Sequence, residues 1–382
     1  MKRKPVLYAI CVVVLIAIVA AYARWARSDR LPVFGTPDLR LKSFVEYGAD
    51  SGRGNLLCIQ PYMLTSDYAS DDTLYQKLGA YLWEADRRGW VNRKTIVIFP
   101  EYVGAWLVVA GEKRGVYESP TVDGAMKLMA ASNPISFIRA YASAEGRDRL
   151  KDALFRMKAN EISGGYYSVF APLAADYGVT IVAGSIILPS PRVEFPGFVG
   201  HRRGPLYNVC AVFTPAPGAC DDLAVKSYPT KEEQAFIAPG KVEDLPVFDT
   251  PAGRLGVLVC ADAWFPEAYE VLKRKKASIV VVPSYGPGSD EVLKRTWRGY
   301  SGWPNPSDVS AGDPGRITEW QAFMKYALPG RLPKSGIPTG VVVCLRGRLW
   351  DLGSHGTTVV VKDGKVKVAP SVDGAAIVNV WL

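Results

Sequence analysis

An α/β layered fold is what the sequence predicts, and three observations predict it. Short apolar runs rich in Val and Ile alternate with stretches whose apolar residues recur at helical spacing. The 382 residues are 48% hydrophobic and 22% charged, globular usage with enough apolar mass for a large core. The groups able to do chemistry stand at the ends of apolar runs, where layered α/β folds gather ligands and reacting groups.

Taken in order, the chain opens with Met1-Lys2-Arg3-Lys4-Pro5 and then runs apolar and uncharged for 18 residues, Val6 to Ala23. At about 1.5 Å per residue such a helix just crosses a hydrocarbon core about 30 Å thick. Residues 1–27 therefore read as a membrane anchor. A signal peptide is the competing reading, because Ala21-Tyr22-Ala23 has the small-x-small form of a cleavage site. Lys2, Arg3 and Lys4 face Arg24, Arg27 and Arg30 across the stretch, and Asp29 and Asp38 dilute the second set. The balance favours an inside N-terminus and an exported catalytic domain, periplasmic or extracellular.

Residues 28–54 read as a linker and 55–382 as one catalytic domain. Asn55 to Gln60 is apolar and short, as a strand is; Leu74, Leu78, Tyr81 and Leu82 then recur at helical spacing, and Thr95 to Phe99 is the next buried strand. From Val103 to Gly165 strong strand signals are missing, and helical pieces around Met126 to Ala131 and Arg147 to Met157 suggest either a substrate-covering lid or an excursion that only packs on the domain. The alternation resumes at Ser168 to Tyr177 and Val179 to Ile187, and again at Leu255 to Val259, a helix from Pro266, and Ser278 to Val282. Thr339 to Cys344, Thr357 to Val361 and the turn signal Asp363-Gly364 complete the sheets.

A net charge of +9 raises the question of nucleic acid, but the cations are scattered. The one dense run, Lys273 to Lys276, sits at a helix end where cations complement the macrodipole. Nucleic acid is not an expected partner. Of six cysteines, Cys11 lies in the membrane stretch and Cys260 is the candidate nucleophile. Cys58, Cys210 and Cys344 lie in strand-like runs as small hydrophobes, while Cys210 and Cys220 flank a Pro-rich turn and could pair if exported. No Cys-x-x-Cys spacing and only two histidines mean that no metal or other cofactor is expected.

Cys260 closes the apolar run Gly256 to Val259, and the chain after it opens a helix with Pro266 and Glu267 in its first turn. A strand-to-helix join presents a nucleophile, although a lone thiol after such a run is most often inert packing. Glu101 follows Thr95 to Phe99 at an equivalent strand end, and Lys226 closes Leu223 to Val225. Taken singly, each could be a solvated group or a cap. A thiol with an ordinary pKa of about 8.5 needs a base, and His201 and His355 both sit in Gly-rich loops. Neither a Gly-x-Ser-x-Gly elbow nor a phosphate-cradling loop occurs, so a glutamate and a lysine remain.

This set resembles the nitrilase, or carbon-nitrogen hydrolase, superfamily. Phe99-Pro100-Glu101, Val225-Lys226, and Val259-Cys260-Ala261-Asp262 with Phe265-Pro266-Glu267 match its three signatures in order. Val182-Ala183-Gly184-Ser185, Tyr207-Asn208, Pro239-Gly240, Val282-Pro283-Ser284 and Gly356 agree as lesser landmarks. The resemblance implies a four-layer αββα sandwich from about Asn55 onward. It also implies that Cys260 attacks an amide carbonyl, that Glu101 acts as general acid and base, and that Lys226 with the backbone N–H of Ala261 stabilises the oxyanion. Glu233 becomes the second carboxylate that holds the lysine, with Glu232 as the alternative.

The chain also departs from the pattern. Tyr228-Pro229 stands where many relatives have His-Leu, the insertion before Ser168 is long, and Thr296 to Ile337 differs from the usual arrangement. The expected reaction is hydrolysis of a small non-peptide amide through a thioester, with a nitrile as a close alternative substrate. Its rivals are acyl transfer to an amine, as in the membrane lipoprotein N-acyltransferases of the superfamily, and a catalytically dead tethered binding protein. Tyr102 beside the glutamate, and Trp297 and Trp303 in an aromatic loop with Tyr300, are the expected substrate-contacting residues. Self-association into a homo-oligomer is left open.

Overall fold

The computed structural model describes residues 3–30, 34–194, 197–201, 203–216 and 219–382. Two sheets lie face to face. The first runs in the order Leu41–Tyr47, Ala375–Trp381, Asn55–Gln60, Thr95–Phe99, Thr180–Ala183, Leu206–Phe213, Ala219–Val225, with Ile186–Pro189 also paired to Leu206–Phe213. The second runs Val247–Thr250, Gly253–Val257, Ile279–Ser284, Thr339–Cys344, Val359–Lys362, Lys365–Val368.

The four layers follow from the two-residue period of strands buried on both faces. Leu56, Cys58, Ile96, Ile98, Val182 and Val212 meet Leu255, Val257, Ile279, Val281 and Val341 between the sheets. The alternate residues Leu57, Ile59, Val97 and Phe99 instead point outward and pack under the helices Asp71–Asp86 and Ala159–Tyr177. On the far side Leu258, Val280, Val282 and Val342 pack under Pro266–Arg274 and Leu328–Ser335. A slip of one residue in any of these strands would exchange its two apolar faces and displace the polar group at its end. Register and site placement are therefore set by the same apolar residues.

The expected αββα architecture is what the chain adopts, with local differences. Residues 28–54 are more than a linker: Leu41–Tyr47 pairs in parallel with Ala375–Trp381 and forms the edge of the first sheet. The run read as one strand, Val179 to Ile187, is two, broken at Gly184. Gly184 has φ +68°, and a Cβ there would stand 2.1 Å from the carbonyl oxygen of Pro100. The break lets Ser185 Oγ accept from the backbone N–H of Tyr102 at 2.9 Å, which fixes the loop carrying Glu101. Asp363-Gly364 forms the expected tight turn, both residues at positive φ, 49° and 74°.

Cys210 is a buried free thiol, and the side chain of its suggested partner Cys220 lies outside the described residues. The N-terminal helix Arg3–Arg27 exposes its apolar side chains from Leu7 to Trp25, within a 21-residue span, Leu7–Arg27, of mean hydropathy 2.3, while Ala26 is buried. Its C-terminal end is held: Tyr22 OH donates to the carbonyl of Ala131, and Arg30 reaches Ser132 O at 2.8 Å and Glu112 at 3.3 Å.

Candidate active site

Three strand ends converge on one point. Thr95–Phe99 delivers Glu101 through Pro100, Ala219–Val225 delivers Lys226, and Gly253–Val257 runs on to Cys260. Cys260 occupies the left-handed region, φ +51°, at the head of the short turn Cys260–Trp264 that precedes the helix Pro266–Arg274. That conformation is costly for a residue with a Cβ and is found where the surroundings enforce it. Here Sγ lies 3.7 Å from the carbonyl of Tyr285, and Glu101 is close enough to act on the thiol electrostatically.

Lys226 is the hub. Its Nζ donates to Glu101 Oε1 at 2.7 Å and to Glu233 at 2.7 Å, with all three residues buried. Asn208 Nδ2 donates to the same Glu101 oxygen at 2.9 Å, and the backbone N–H of Tyr285 donates to Glu101 Oε2 at 3.2 Å. Glu233 also accepts from Tyr102 OH, and from the backbone N–H of Thr230 at 2.7 Å. Glu232, the alternative second carboxylate, is exposed and makes no contact with Lys226 among the described residues.

These surroundings separate the acids. Burial, helped by the charge of Glu233, holds Glu101 above the ordinary carboxylate range against the pull of Lys226. Burial also opposes ionisation of Glu233, but Lys226, Tyr102 and the Thr230 amide outweigh it and hold that carboxyl low. For Lys226 burial is the opposing influence, and the two carboxylates raise it well above the usual lysine range. Burial, with Glu101 next, pushes the Cys260 thiol up. A carboxyl that exchanges a proton and one that stays ionised have distinct roles.

The cavity above these groups has a volume of about 310 Å³. Its floor is Glu101, Lys226, Glu233 and Cys260, and Tyr102 and Tyr285 line it as well. The long segment 103–165 supplies much of the wall, through Val108 and Val109, Ala125 and Met129 of Val122–Ser132, and Leu154 and Phe155 of Arg149–Met157. That segment is a wall of the cavity.

Tyr102 thus stands in the site, whereas the two tryptophans expected there do not line the cavity. Trp297 is 2% exposed and packs with Ala322 and Tyr326, and Trp303 Nε1 donates to the carbonyl of Pro229 at 2.7 Å. The segment from Thr296 folds into its own small core around Glu319–Tyr326, which braces Trp264 at the end of the nucleophile's turn. Trp264 stacks on Trp297, ring centroids 6.3 Å apart. An aromatic loop near a nucleophile is equally well used as a buttress, and spacing alone cannot tell the two apart.

Asp262 is the residue whose importance its sequence position concealed. Fully buried, it accepts from the backbone N–H groups of Ser227 at 2.9 Å, Tyr228 at 2.8 Å and Val259 at 3.2 Å. It therefore ties the end of the lysine strand to the turn carrying Cys260, although burial pushes its own carboxyl up to about 7. Asp262→Ala would leave three buried amides without an acceptor, at about 1–3 kcal/mol each. We expect at least about 3 kcal/mol less stability in urea unfolding together with a loss of activity; an unchanged midpoint would show that the tie carries no load. Asn208 was findable, since a polar residue inside the buried strand Leu206–Phe213 needs a partner.

Comparison with known proteins adds an independent line. Residues 68–311 match the family model described as Carbon-nitrogen hydrolase. An omega-amidase of Danio rerio is 29% identical over 154 residues, 37% of this chain and 50% of that protein. A deaminated glutathione amidase of Dictyostelium discoideum is 40% identical over 63 residues, 16% of this chain and 21% of that protein. The chain spans about half the length of the omega-amidases it matches. In three dimensions it is similar to a double mutant of the amidase from Nesterenkonia sp. AN1 in complex with acrylamide, with TM-score 0.50 and 16% identity over 87% of this chain and 92% of that one.

Proposed function

Since the chain belongs to the carbon-nitrogen hydrolase family, we propose that it hydrolyses a small non-peptide amide through a thioester on Cys260. The observation that carries this reading is Lys226 Nζ set 2.7 Å from both Glu101 and Glu233 beside a thiol held at φ +51°. Sulfur attacks the carbonyl carbon as Glu101 takes the thiol proton. Lys226 and the Ala261 N–H face the oxyanion, and Glu101 returns the proton to nitrogen as the carbon-nitrogen bond breaks and the amine leaves. Water, deprotonated by Glu101, then adds to the thioester; the carbon-sulfur bond breaks, the acid departs and the thiol regains its proton. A nitrile would enter the same cycle at its carbon.

Glu233, held ionised, keeps Lys226 charged and oriented. Because its charge is one of the influences raising Glu101, Glu233→Gln should lower the Glu101 pKa. Glu101 acts as a base only when ionised, so activity is lost as pH falls through that pKa. The acid limb of the kcat/KM profile should then move to lower pH in Glu233→Gln. A limb that stays in place or moves up would count against Glu101 as the base.

The N-terminal helix, long and apolar enough to cross a membrane, supports a membrane anchor, with a signal peptide as the alternative; the exported side rests on the flanking charges. An anchored enzyme keeps acyl transfer in view, because an amine can take the place of water against the thioester. Product analysis with and without an amine acceptor separates the two reactions. Intact-mass trapping of an acyl adduct on the wild-type chain tests the thioester itself.

A further inference from the structure

Resting on the amide-hydrolase reading, we infer that the substrate is a membrane-resident amide whose acyl side is an unbranched hydrocarbon chain, taken up beside a second membrane contact, the helix Pro134–Ala142. Two independent observations lead there.

The first is the character of the cavity. Away from the catalytic floor its walls are hydrocarbon and indole: Val108, Ala125, Met129, Leu154, Phe155 and Trp350. The polar lining residues Lys151 and Glu232 are partly or fully exposed, so they mark the solvent side of the opening. A cavity of about 310 Å³ with these walls has room for a hydrocarbon chain of several carbons. Throughout both half-reactions the acyl group stays bonded to sulfur while the amine leaves and water enters. An apolar pocket open on one side suits the half of the substrate that stays.

The second is the surface next to it. Val122–Ser132 lines the cavity with Ala125 and Met129, and its far end is bonded to the anchor by Tyr22 at Ala131 and by Arg30 at Ser132. Tyr22 and Trp25, 43% and 40% exposed, stand at that end of the anchor, as aromatic residues do at a bilayer interface. From this junction the chain turns directly into Pro134–Ala142, which has no buried residue and exposes Ile135 and Ile138, both 66%, and Tyr141, 41%. Their spacing puts them along one face. Arg149 lies over the Tyr141 ring at 4.5 Å and donates to the Tyr141 carbonyl, a cation at headgroup level. An exposed apolar helix face continuous with the end of an anchor fits a bilayer surface, and the helix it adjoins is a wall of the cavity.

The test uses the full chain in vesicles of phosphatidylethanolamine and phosphatidylglycerol, with a primary amide series from acetamide to dodecanamide. kcat/KM should rise on the order of fourfold per methylene and level off once the chain fills the cavity. Lengthening the amine side instead should give no such rise. Ala125→Phe, and separately Leu154→Trp from the opposite wall, should cut the ratio of decanamide to butanamide turnover by about tenfold or more. Ile135→Asp combined with Ile138→Asp should lower turnover of the vesicle-bound amide relative to soluble butanamide by about tenfold.

A flat length profile with thioester still forming on Cys260 would overturn this inference and leave the hydrolase reading standing. No thioester from any amide would overturn the hydrolase reading itself. A wild-type turnover ratio in the aspartate variant would remove the helix from the membrane contact.

Discussion

Cys260→Ala abolishes turnover, lowering kcat/KM by at least about 10⁴-fold, while the chain stays folded. Among the described groups at the cavity floor the thiol is the strongest nucleophile; Lys226 is engaged with two carboxylates and raised well above the ordinary range, so it stays an ammonium. Alanine shares the backbone preferences of cysteine at φ +51° and removes one sulfur from a half-buried position, so unfolding in urea should shift by less than about 1 kcal/mol. The decisive measurement is intact mass after mixing with an amide: the wild type gains the acyl mass and Cys260→Ala gains nothing. An acyl adduct on the alanine variant would refute the mechanism.

Lys226→Met has the second largest effect, and on stability as well as on rate. Methionine preserves the length of the side chain but leaves Glu101 and Glu233 buried together with no cation between them. Removing one partner of a buried ionic cluster costs about 3–5 kcal/mol, because the remaining charges are no longer compensated. Activity should fall by about 10³-fold with the loss of the oxyanion's charged donor.

The pH dependence of the loss identifies its cause. Two adjacent buried carboxylates without the lysine have folded-state pKa values above their unfolded ones, so the folded state binds more protons and stability falls as pH rises through those values. The deficit of Lys226→Met should therefore be smaller at about pH 5 than at about pH 8. Adding Glu233→Gln should return about 1–3 kcal/mol. Equal deficits at both pH values, or strict additivity of the two substitutions, would mean that the ion cluster is not what the lysine supports.

Much of this site was legible because strands buried on both faces are conspicuous and their ends are few. Thr95–Phe99, the stretch Leu223 to Val225 and the run to Val259 are short and apolar, and the first polar group past each is Glu101, Lys226 or Cys260. The linker reading failed at Leu41–Tyr47 for the complementary reason: an edge strand with an alternating half-buried pattern carries a weak apolar signal, and it is completed only by Ala375–Trp381 from the far end of the chain. The tryptophan reading failed because an aromatic residue buries equally well in a pocket wall or in a separate small core.

The sequence by itself determined the layered class, the three chemical groups and their order, because those depend on local period and on which residue ends each run. Only the tertiary structure decided that Asp262 ties two strand ends together, that the segment 103–165 walls the cavity, and that Trp297 packs against Trp264 at the end of the Cys260–Trp264 turn instead of lining the cavity. Those are facts about partners distant in the chain, and no local pattern encodes which buried amide a carboxylate will find. Cys260 and Glu101 can be named from their strands; the cavity above them is shaped by helices whose own sequences record only that one face is apolar.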